Sequence, residues 1–583
     1  MLLYCATQST SVRFELIERD GLARIGQLEI DGVKHRTPAL AFVDTEKYPA
    51  PEGVLRVVPS KKKGKGNLLI GPSGFSATHH REMEAHLRPA FRGSPYADIR
   101  HEGDVAHPDE TSSIMLDSRK FADSVSELKN GAGLLRPMYC SVMGLPHRLA
   151  LLAYCGFDVF DSIPLIAAAE NGSYLTTAGV LDYVRIEDLP CACPACASGK
   201  RGKKELLHHN YTEALSELRL IRHTISEGRL RELVEMRVRS DPWLVQNLRL
   251  MDLEHYDLQE LHAPVRGAPF HAGSKESLSR PDIIRWRRRL ESRYKKPGGT
   301  SVLLLIPCSA RKPYSLSQSH MRFRRAVWQS GRADIVHEVI VTSPLGLVPR
   351  ELELFYPAKD YDIPVTGHWD RDEKRMAEEM VTWLVASQKY DLVLSHLGDE
   401  RESVNSVLKD FVDTSLGSPG SKESLQRLEE TLRDQAPARR SGKRHSRELE
   451  DMRSLCRFQF GQAGDALCED ARIVGRWPNL KIVKGEIQLG MLTGDRGMVS
   501  LTIEGARMIA EERAYCVEIE DFVPKGNLFA VGVMNASKEI RIGDDVAVVH
   551  GKDVRAVGVA QMTPVEMELA ERGEAVHIRH VLQ

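Results

Sequence analysis

The 583-residue sequence has no window approaching 18 consecutive apolar residues, the length a helix needs to cross a bilayer. Its first stretch, "MLLYCATQSTSVRFEL", lacks a charged segment followed by a long apolar one. A soluble, cytoplasmic protein with no membrane partner is therefore expected. Charge of one sign is also missing: 80 Lys+Arg stand against 81 Asp+Glu, so any contact with nucleic acid has to come from local basic patches. Ten cysteines in so long a chain do not suggest a disulfide framework. The length exceeds what one hydrophobic core can serve, and roughly three to five domains are expected.

Hydrophobic patterning divides the chain. The segment "VRFELIERDGLARIGQLEIDGVKHRTPALAFV" alternates polar and apolar residues around Asp-Gly pairs and reads as hairpins. The short runs "SSIMLDS", "RPMYCSVMG" and "FDVFDS", with helix-like "PHRLALLAYCG" between the last two, give β/α alternation. That pattern predicts a parallel sheet or barrel with its chemistry at the carboxyl ends of the strands. Residues 210 to 262 read as amphipathic helix, and the polar stretch 264 to 299 as a boundary. Three β-rich runs, "SVLLLIPCS", "VHEVIVTSP" and "YDLVLSHLG", then alternate with helical patterns and predict a compact α/β domain over 300 to 412. Residues 413 to 448 are poor in apolar side chains and rich in Gly, Pro, Ser and Arg, which predicts a flexible linker. Residues 449 to 505 are expected to form an α+β connecting domain. Close-spaced strands and glycine turns over 506 to 583 suggest a small barrel.

Two motifs carry chemistry. "CACPAC" supplies Cys191, Cys193 and Cys196, and "LLHHN" follows with His208 and His209. Three thiolates and one imidazole complete a closed tetrahedral site, which predicts structural zinc; reduced thiols without a metal would leave three neighbouring cysteines unexplained. In "IPCSARKPYSLSQSH", Cys308 directly follows a buried strand, close to a helix start and to Arg311 and Lys312. Such a position can lower a thiol's pKa and make it a nucleophile. Lys312, Ser315 and His320 are the candidate proton carriers and donors around it. Local pattern alone accommodates equally a cysteine packed as a small hydrophobe beside a Ser-rich helix cap.

The N-terminal part resembles the tRNA-guanine transglycosylases, through "CxCxxC…HN", "GFDVFDSIP", "MLDS" and "RDGLARIGQLEIDG…TPAL". The resemblance implies a barrel domain with a zinc subdomain over residues 1 to 265 and makes His209 the fourth ligand. It places Asp161 at the position of the family's nucleophilic aspartate and Asp117 at that of its second aspartate. Both residues also suit helix caps or strand-end turns. The sequence departs from the family in two ways. Ser118, Arg119 and Lys120 replace a glycine-rich turn, and Asp117 lies only 44 positions before Asp161. At roughly 30 residues per βα unit, that interval holds one or two units, so a truncated TIM-barrel-like domain is expected.

"PCSARKPYSLSQSH", with "SPLGLVPRELELFYP" and "YDIPVTGHWD", is similar to the signature of the archaeosine synthase family. That resemblance implies a transferase acting on tRNA that carries 7-cyano-7-deazaguanine at position 15. Glutamine or ammonia as donor would give archaeosine directly; free lysine would give an adduct that a radical partner enzyme cleaves. On this reading Cys308 attacks the nitrile, His320 or Lys312 shuttles protons, and Tyr314 orients the base. Glu351 and Glu353 are candidates to hold a cationic donor, and His368 to stack on the base. The C-terminal segment resembles the PUA domain, which implies RNA binding with Lys525, Arg572 and Arg579 as candidate phosphate contacts; a homodimer is expected. Base exchange through Asp117 and Asp161, or a non-catalytic tRNA-binding subunit, are the alternatives. The short aspartate interval stands against the first and the intact "PCSARKPYS" against the second.

Overall fold

Alternation around Asp-Gly produces an antiparallel meander at the start of the chain: Val12–Asp20, Ala23–Ile30 and Val33–Arg36 pair in that order. Gly21, at φ 62°, adopts the left-handed backbone that the two-residue turn between the first two strands requires. The computed structural model describes residues 12–30, 32–44, 47–59, 67–70, 106, 117–131, 133–364, 368–398, 400–437 and 447–582. It divides into two compact units, Met1–Ala263 and Pro264–Gln583.

In the first unit, five parallel strands form one sheet. Across the sheet, Asn67–Ile70 is followed by Arg56–Pro59, Ala39–Val43, Val159–Asp161 and Tyr139–Cys140. The last strand in sequence thus lies beside the first, the adjacency that a β/α barrel has where its wall closes. Helices Ser118–Asn130 and Pro146–Tyr154 accompany these strands. The run "SSIML" at 112–116 lies outside the described residues. Beyond the sheet, a hairpin of Ser173–Thr176 and Gly179–Asp182 leads into the cysteine cluster and then the long helix Lys203–Ser226. Three shorter helices, Leu230–Arg237, Pro242–Glu254 and Tyr256–His262, complete the helical stretch.

The second unit centres on a five-stranded sheet. Its order is Gly346–Pro349, Val336–Thr342, Val302–Pro307, Leu392–Ser395, Val412–Asp413, all parallel except the first, an antiparallel edge. The first parallel strand in sequence is therefore central. The chain fills one side of it and then crosses to the other, which opens a crevice at the carboxyl ends of Val302–Pro307 and Leu392–Ser395, where open α/β sheets bind ligands.

Two segments differ from expectation. The stretch 264 to 299 contains helix Pro281–Arg293, whose Ile283, Trp286 and Leu290 are buried in the core. Within 413 to 448, helix Lys422–Gln435 buries Leu428 and Leu432 in the same core, while 438–446 lie outside the described residues. In both cases a few apolar residues at helical spacing outweigh a highly polar composition. After this come a four-stranded antiparallel sheet (Arg472–Arg476, Asn479–Lys484, Ile487–Leu492, Val499–Leu501) and a six-stranded, mostly antiparallel sheet built from strands between Cys516 and Val581. No helix among the described residues is long and apolar enough to cross a membrane.

Candidate active site and metal centre

Register fixes the position of Cys308. Val302–Pro307 pairs in parallel with Val336–Thr342 through Pro307↔Val341, so the next residues, Cys308 and Thr342, emerge side by side at the carboxyl edge. Cys308 is part-buried against the core, next to Thr342 by the register of the two strands. Burial and the carboxylate of Glu400, just past the strand on the other side, push the thiol above its ordinary pKa; Thr342 and Lys312 pull it down. Burial lowers the pKa of Lys312, against the pull of Cys308 and Asp362. Its ammonium lies 4.0 Å from the Tyr361 ring centroid and 5.8 Å from that of Tyr314. A thiol shifted up and an amine shifted down hold their protons with more nearly equal affinity, which weakens the ordinary preference for the thiolate–ammonium pair and makes transfer in either direction between sulfur and nitrogen less costly.

The other residues of the motif serve mostly to support it. Tyr314 is fully buried, with its hydroxyl on Tyr361. The Ser315 hydroxyl and backbone N–H both donate to Glu353, whose carboxylate also accepts from Arg350 Nη1 at 3.2 Å. Ser317 caps the helix Gln318–Gln329 by accepting from the His320 N–H. The His320 ring is fully buried, and its Nδ1 accepts from Arg350 Nη2 at 2.8 Å. Its Nε2 lies toward the Pro307 carbonyl without an aligned hydrogen bond. Burial and Arg350 drive the His320 pKa down to about 2, so the ring is neutral at working pH, with Arg350 as its hydrogen-bond partner.

Of the glutamates expected at the donor site, Glu353 is occupied by structural partners and Glu351 lies elsewhere. Glu353 is engaged by Ser315 and Arg350, while Arg350 also grips Glu338 at 2.8 Å. Glu351 accepts from the Tyr294 hydroxyl, which also meets His337. His337 is the second residue of its strand and Thr342 the last, roughly 17 Å of extended chain apart at about 3.3 Å per residue. Glu351 therefore belongs to the opposite end of the sheet from Cys308. His368 is exposed in the segment before helix Arg371–Ser387. Sequence reasoning missed Thr342, Tyr361 and Glu400, the groups that do face the thiol or its partners. The strand-end position of Thr342 in "VHEVIVTSP" was the available signal.

In the first unit, Asp117 and Asp161 have structural partners. Asp117 is the exposed N-cap of helix Ser118–Asn130, accepting from the N–H groups of Arg119 and Lys120. Asp161 is fully buried at the end of Val159–Asp161. One carboxylate oxygen accepts from the Tyr139 hydroxyl at 2.6 Å and the Val142 N–H at 3.0 Å, the other from the Ile163 N–H at 3.0 Å. Val142 sits at φ 55°, an unusual conformation for a β-branched residue, and Asp161 ties it down. Asp161→Ala is expected to leave three buried donors without this acceptor and to destabilise the first unit by about 3 kcal/mol, measured by chemical denaturation. Asp117→Ala should lose about 1 kcal/mol, the usual cost of an exposed cap.

Cys191, Cys193, Cys196 and His209 place their ligand atoms all within 4.8 Å of one another. His209 Nδ1 lies 3.7 Å from Cys193 Sγ and 3.5 Å from Cys196 Sγ, while Nε2 is 2.8 Å from the Leu175 carbonyl. The Leu175 carbonyl accepts from Nε2, which leaves Nδ1 as the lone-pair donor toward the thiols. The ring is stacked on Tyr174 at 3.7 Å, and the neighbouring His208 is exposed. Around this cluster the core is small: Ala169, Tyr174 and Leu206 are its buried members. The donor set and the small core fit a metal ion that holds the subdomain together.

Of the expected RNA contacts, Lys525 and Arg572 are exposed. Arg579 is paired with the buried Asp545, which Arg496 also holds, and burial lowers the Arg579 pKa to about 10. It therefore braces the terminal sheet.

Family models match three segments: queuine tRNA-ribosyltransferase over residues 110–242, a domain of unknown function (DUF5591) over 283–432, and the PUA domain over 517–582. Archaeosine synthase subunit alpha of Methanosarcina acetivorans is 36% identical over 97% of this chain and 99% of its own length. Archaeosine synthase of Haloferax volcanii is 33% identical over 97% and 99%. A tRNA-guanine(15) transglycosylase of Methanobrevibacter smithii is 27% identical over 86% of this chain and 76% of its own. With near-complete coverage at this identity, the chain belongs to the archaeosine synthase family of tRNA-modifying enzymes.

Proposed function

We propose that the chain joins an amine to the nitrile carbon of 7-cyano-7-deazaguanine at position 15 of tRNA, with Cys308 as nucleophile. One observation carries the reading: a part-buried thiol at the carboxyl end of the central strand of a doubly wound sheet, beside Lys312. Lys312 takes the thiol proton, the sulfur adds to the nitrile carbon, and Lys312 returns the proton to the nitrile nitrogen, giving a neutral thioimidate. The amine then attacks the same carbon, the C–S bond breaks, and the departing thiolate regains a proton from the added nitrogen, leaving an amidine. Covalent catalysis divides one slow addition into two faster ones. With lysine as donor the product is an adduct that a radical partner enzyme has to cleave; with ammonia, supplied free or from glutamine, it is archaeosine itself.

The four-ligand cluster holds zinc on this reading. Three thiolates and an imidazole leave no open position, so the ion supplies structure and no step of the reaction. Lys525 and Arg572, exposed in the C-terminal domain, are available to phosphate, a contact that positions RNA without reading its sequence.

The test is an incubation of the purified protein with tRNA bearing the cyano-base and, separately, lysine, glutamine or ammonium, followed by nucleoside mass analysis. A gain of one lysine, or of one ammonia where glutamine or ammonium is the donor, is expected with one of them. Exchange of labelled guanine into unmodified tRNA, with no gain on the cyano-base, would sink the proposal in favour of base exchange.

A further inference from the structure

We propose that Thr342, Tyr361 and Tyr314 form a buried chain of hydroxyls that ends on Cys308 Sγ and stabilises its anion, making Thr342 and Tyr361 positioning residues for the nucleophile. The register that sets Cys308 beside Thr342 starts the chain. Thr342 Oγ1 is 2.6 Å from the Tyr361 hydroxyl, which in turn meets the Tyr314 hydroxyl. Thr342 and Tyr314 are fully buried and Tyr361 is 3% exposed. Tyr361 is fixed by its backbone as well, because Tyr361–Asp362 pairs in parallel with Phe270–His271.

Each hydroxyl carries one proton, so the chain has a direction. Burial raises both phenols above their ordinary pKa, which keeps them protonated donors. With Tyr314 donating to Tyr361 and Tyr361 to Thr342, the Thr342 proton is left to the Ser343 carbonyl at 3.1 Å or, by rotation of the hydroxyl, to the Cys308 sulfur that the register sets beside it. A neutral thiol competes poorly for that proton. A thiolate wins it, since a hydrogen bond to an ionised acceptor is roughly twice as strong as one between neutral groups. The chain therefore favours the anion over the thiol. The other groups that face the thiol or the chain are Lys312 on the Cys308 loop, Asp362 beside Lys312, Glu400 beyond Leu392–Ser395, and Glu353 near Tyr314. Burial and Glu400 oppose the anion, so Thr342 and Lys312 must offset both.

The experiment is alkylation of Cys308 in the full chain by iodoacetamide across a pH series, read by peptide mass. Thr342→Val keeps the shape and removes the donor. Its alkylation midpoint is expected to rise by about one pH unit, with roughly tenfold slower alkylation well below the midpoint, and Thr342→Ser should restore it. Amine addition by Thr342→Val should lose kcat with the KM for tRNA unchanged. An unchanged midpoint in folded Thr342→Val overturns the proposal. Should that variant not fold, Tyr361→Phe decides: a smaller rise supports the chain and no rise overturns it. Only the effect on turnover rests on the proposed role of Cys308. The midpoint is measured without tRNA, so failure of the chain and failure of that role give different results.

Discussion

Cys308→Ala is expected to abolish the mass gain of cyano-base tRNA, with amine addition at least about a thousandfold slower. The size of the loss follows from what the sulfur does. Without it, the amine must attack the nitrile directly, and Lys312 has no proton to collect. Alanine fits the same space, since the strand Val302–Pro307 beneath it is buried and paired on both sides. Fold and tRNA affinity should therefore be retained, and a filter-binding measurement checks the latter. Cys308→Ser keeps a hydroxyl at the same place but should fail as completely, because an alkoxide is far harder to form than a thiolate. Trapping with excess cyano-base tRNA and no amine should show a covalent protein–tRNA species in the wild type and none in either variant. Full activity in Cys308→Ala would leave the family assignment standing and the mechanism wrong.

The second large effect is expected at Cys193, a buried member of the four-ligand cluster. Cys193→Ser should lower bound zinc from about one ion per chain to near zero and make residues 173 to 210 accessible to protease. The reason is the small core there. Ala169, Tyr174 and Leu206 bury too little apolar surface to hold this segment in one conformation by themselves, and four bonds to one metal ion tie its ends together. His208→Ala should bind zinc normally, because His208 is exposed and only His209 is aimed at the sulfurs. Zinc retained in Cys193→Ser, measured by metal analysis after chelator treatment, would count against this reading.

Much of this arrangement was visible in the order of residues. Asp-Gly pairs marked the opening hairpins, "SVLLLIP" marked a buried strand, and "CxCxxC…HHN" marked three thiols with His208 or His209 as candidate ligands, the family resemblance pointing to His209, because in each case the cause is local. The cover of the thiol was not visible, since sequence shows where strands end but not which strands are neighbours. Thr342 lies beside Cys308 only because Pro307 pairs with Val341, and Tyr361 only because its two-residue strand is held by Phe270–His271. For the same reason "PRELE" looked like two carboxylates for a cationic ligand. The arginine between Pro349 and Glu351 was the informative residue: Arg350 draws Glu338, Glu353 and His320 onto one buried guanidinium. The helix Lys422–Gln435 was hidden differently. Leu425, Leu428 and Leu432 carry a helical period, but the glycine, serine and arginine around them masked it.

The central position of Val302–Pro307 has a consequence for how the chain can be cut. Val302 pairs on one side with Val336 and on the other with Leu392, so a polypeptide released before Leu392 leaves the Cys308 strand with a bare, apolar edge, an invitation to aggregate. Stopping after Val412–Asp413 completes the sheet, yet still leaves out the Leu428 and Leu432 that cover the core. During vectorial synthesis the thiol is thus among the first reactive groups of its unit to emerge and among the last to be enclosed, and such long-range parallel pairing is slow to form.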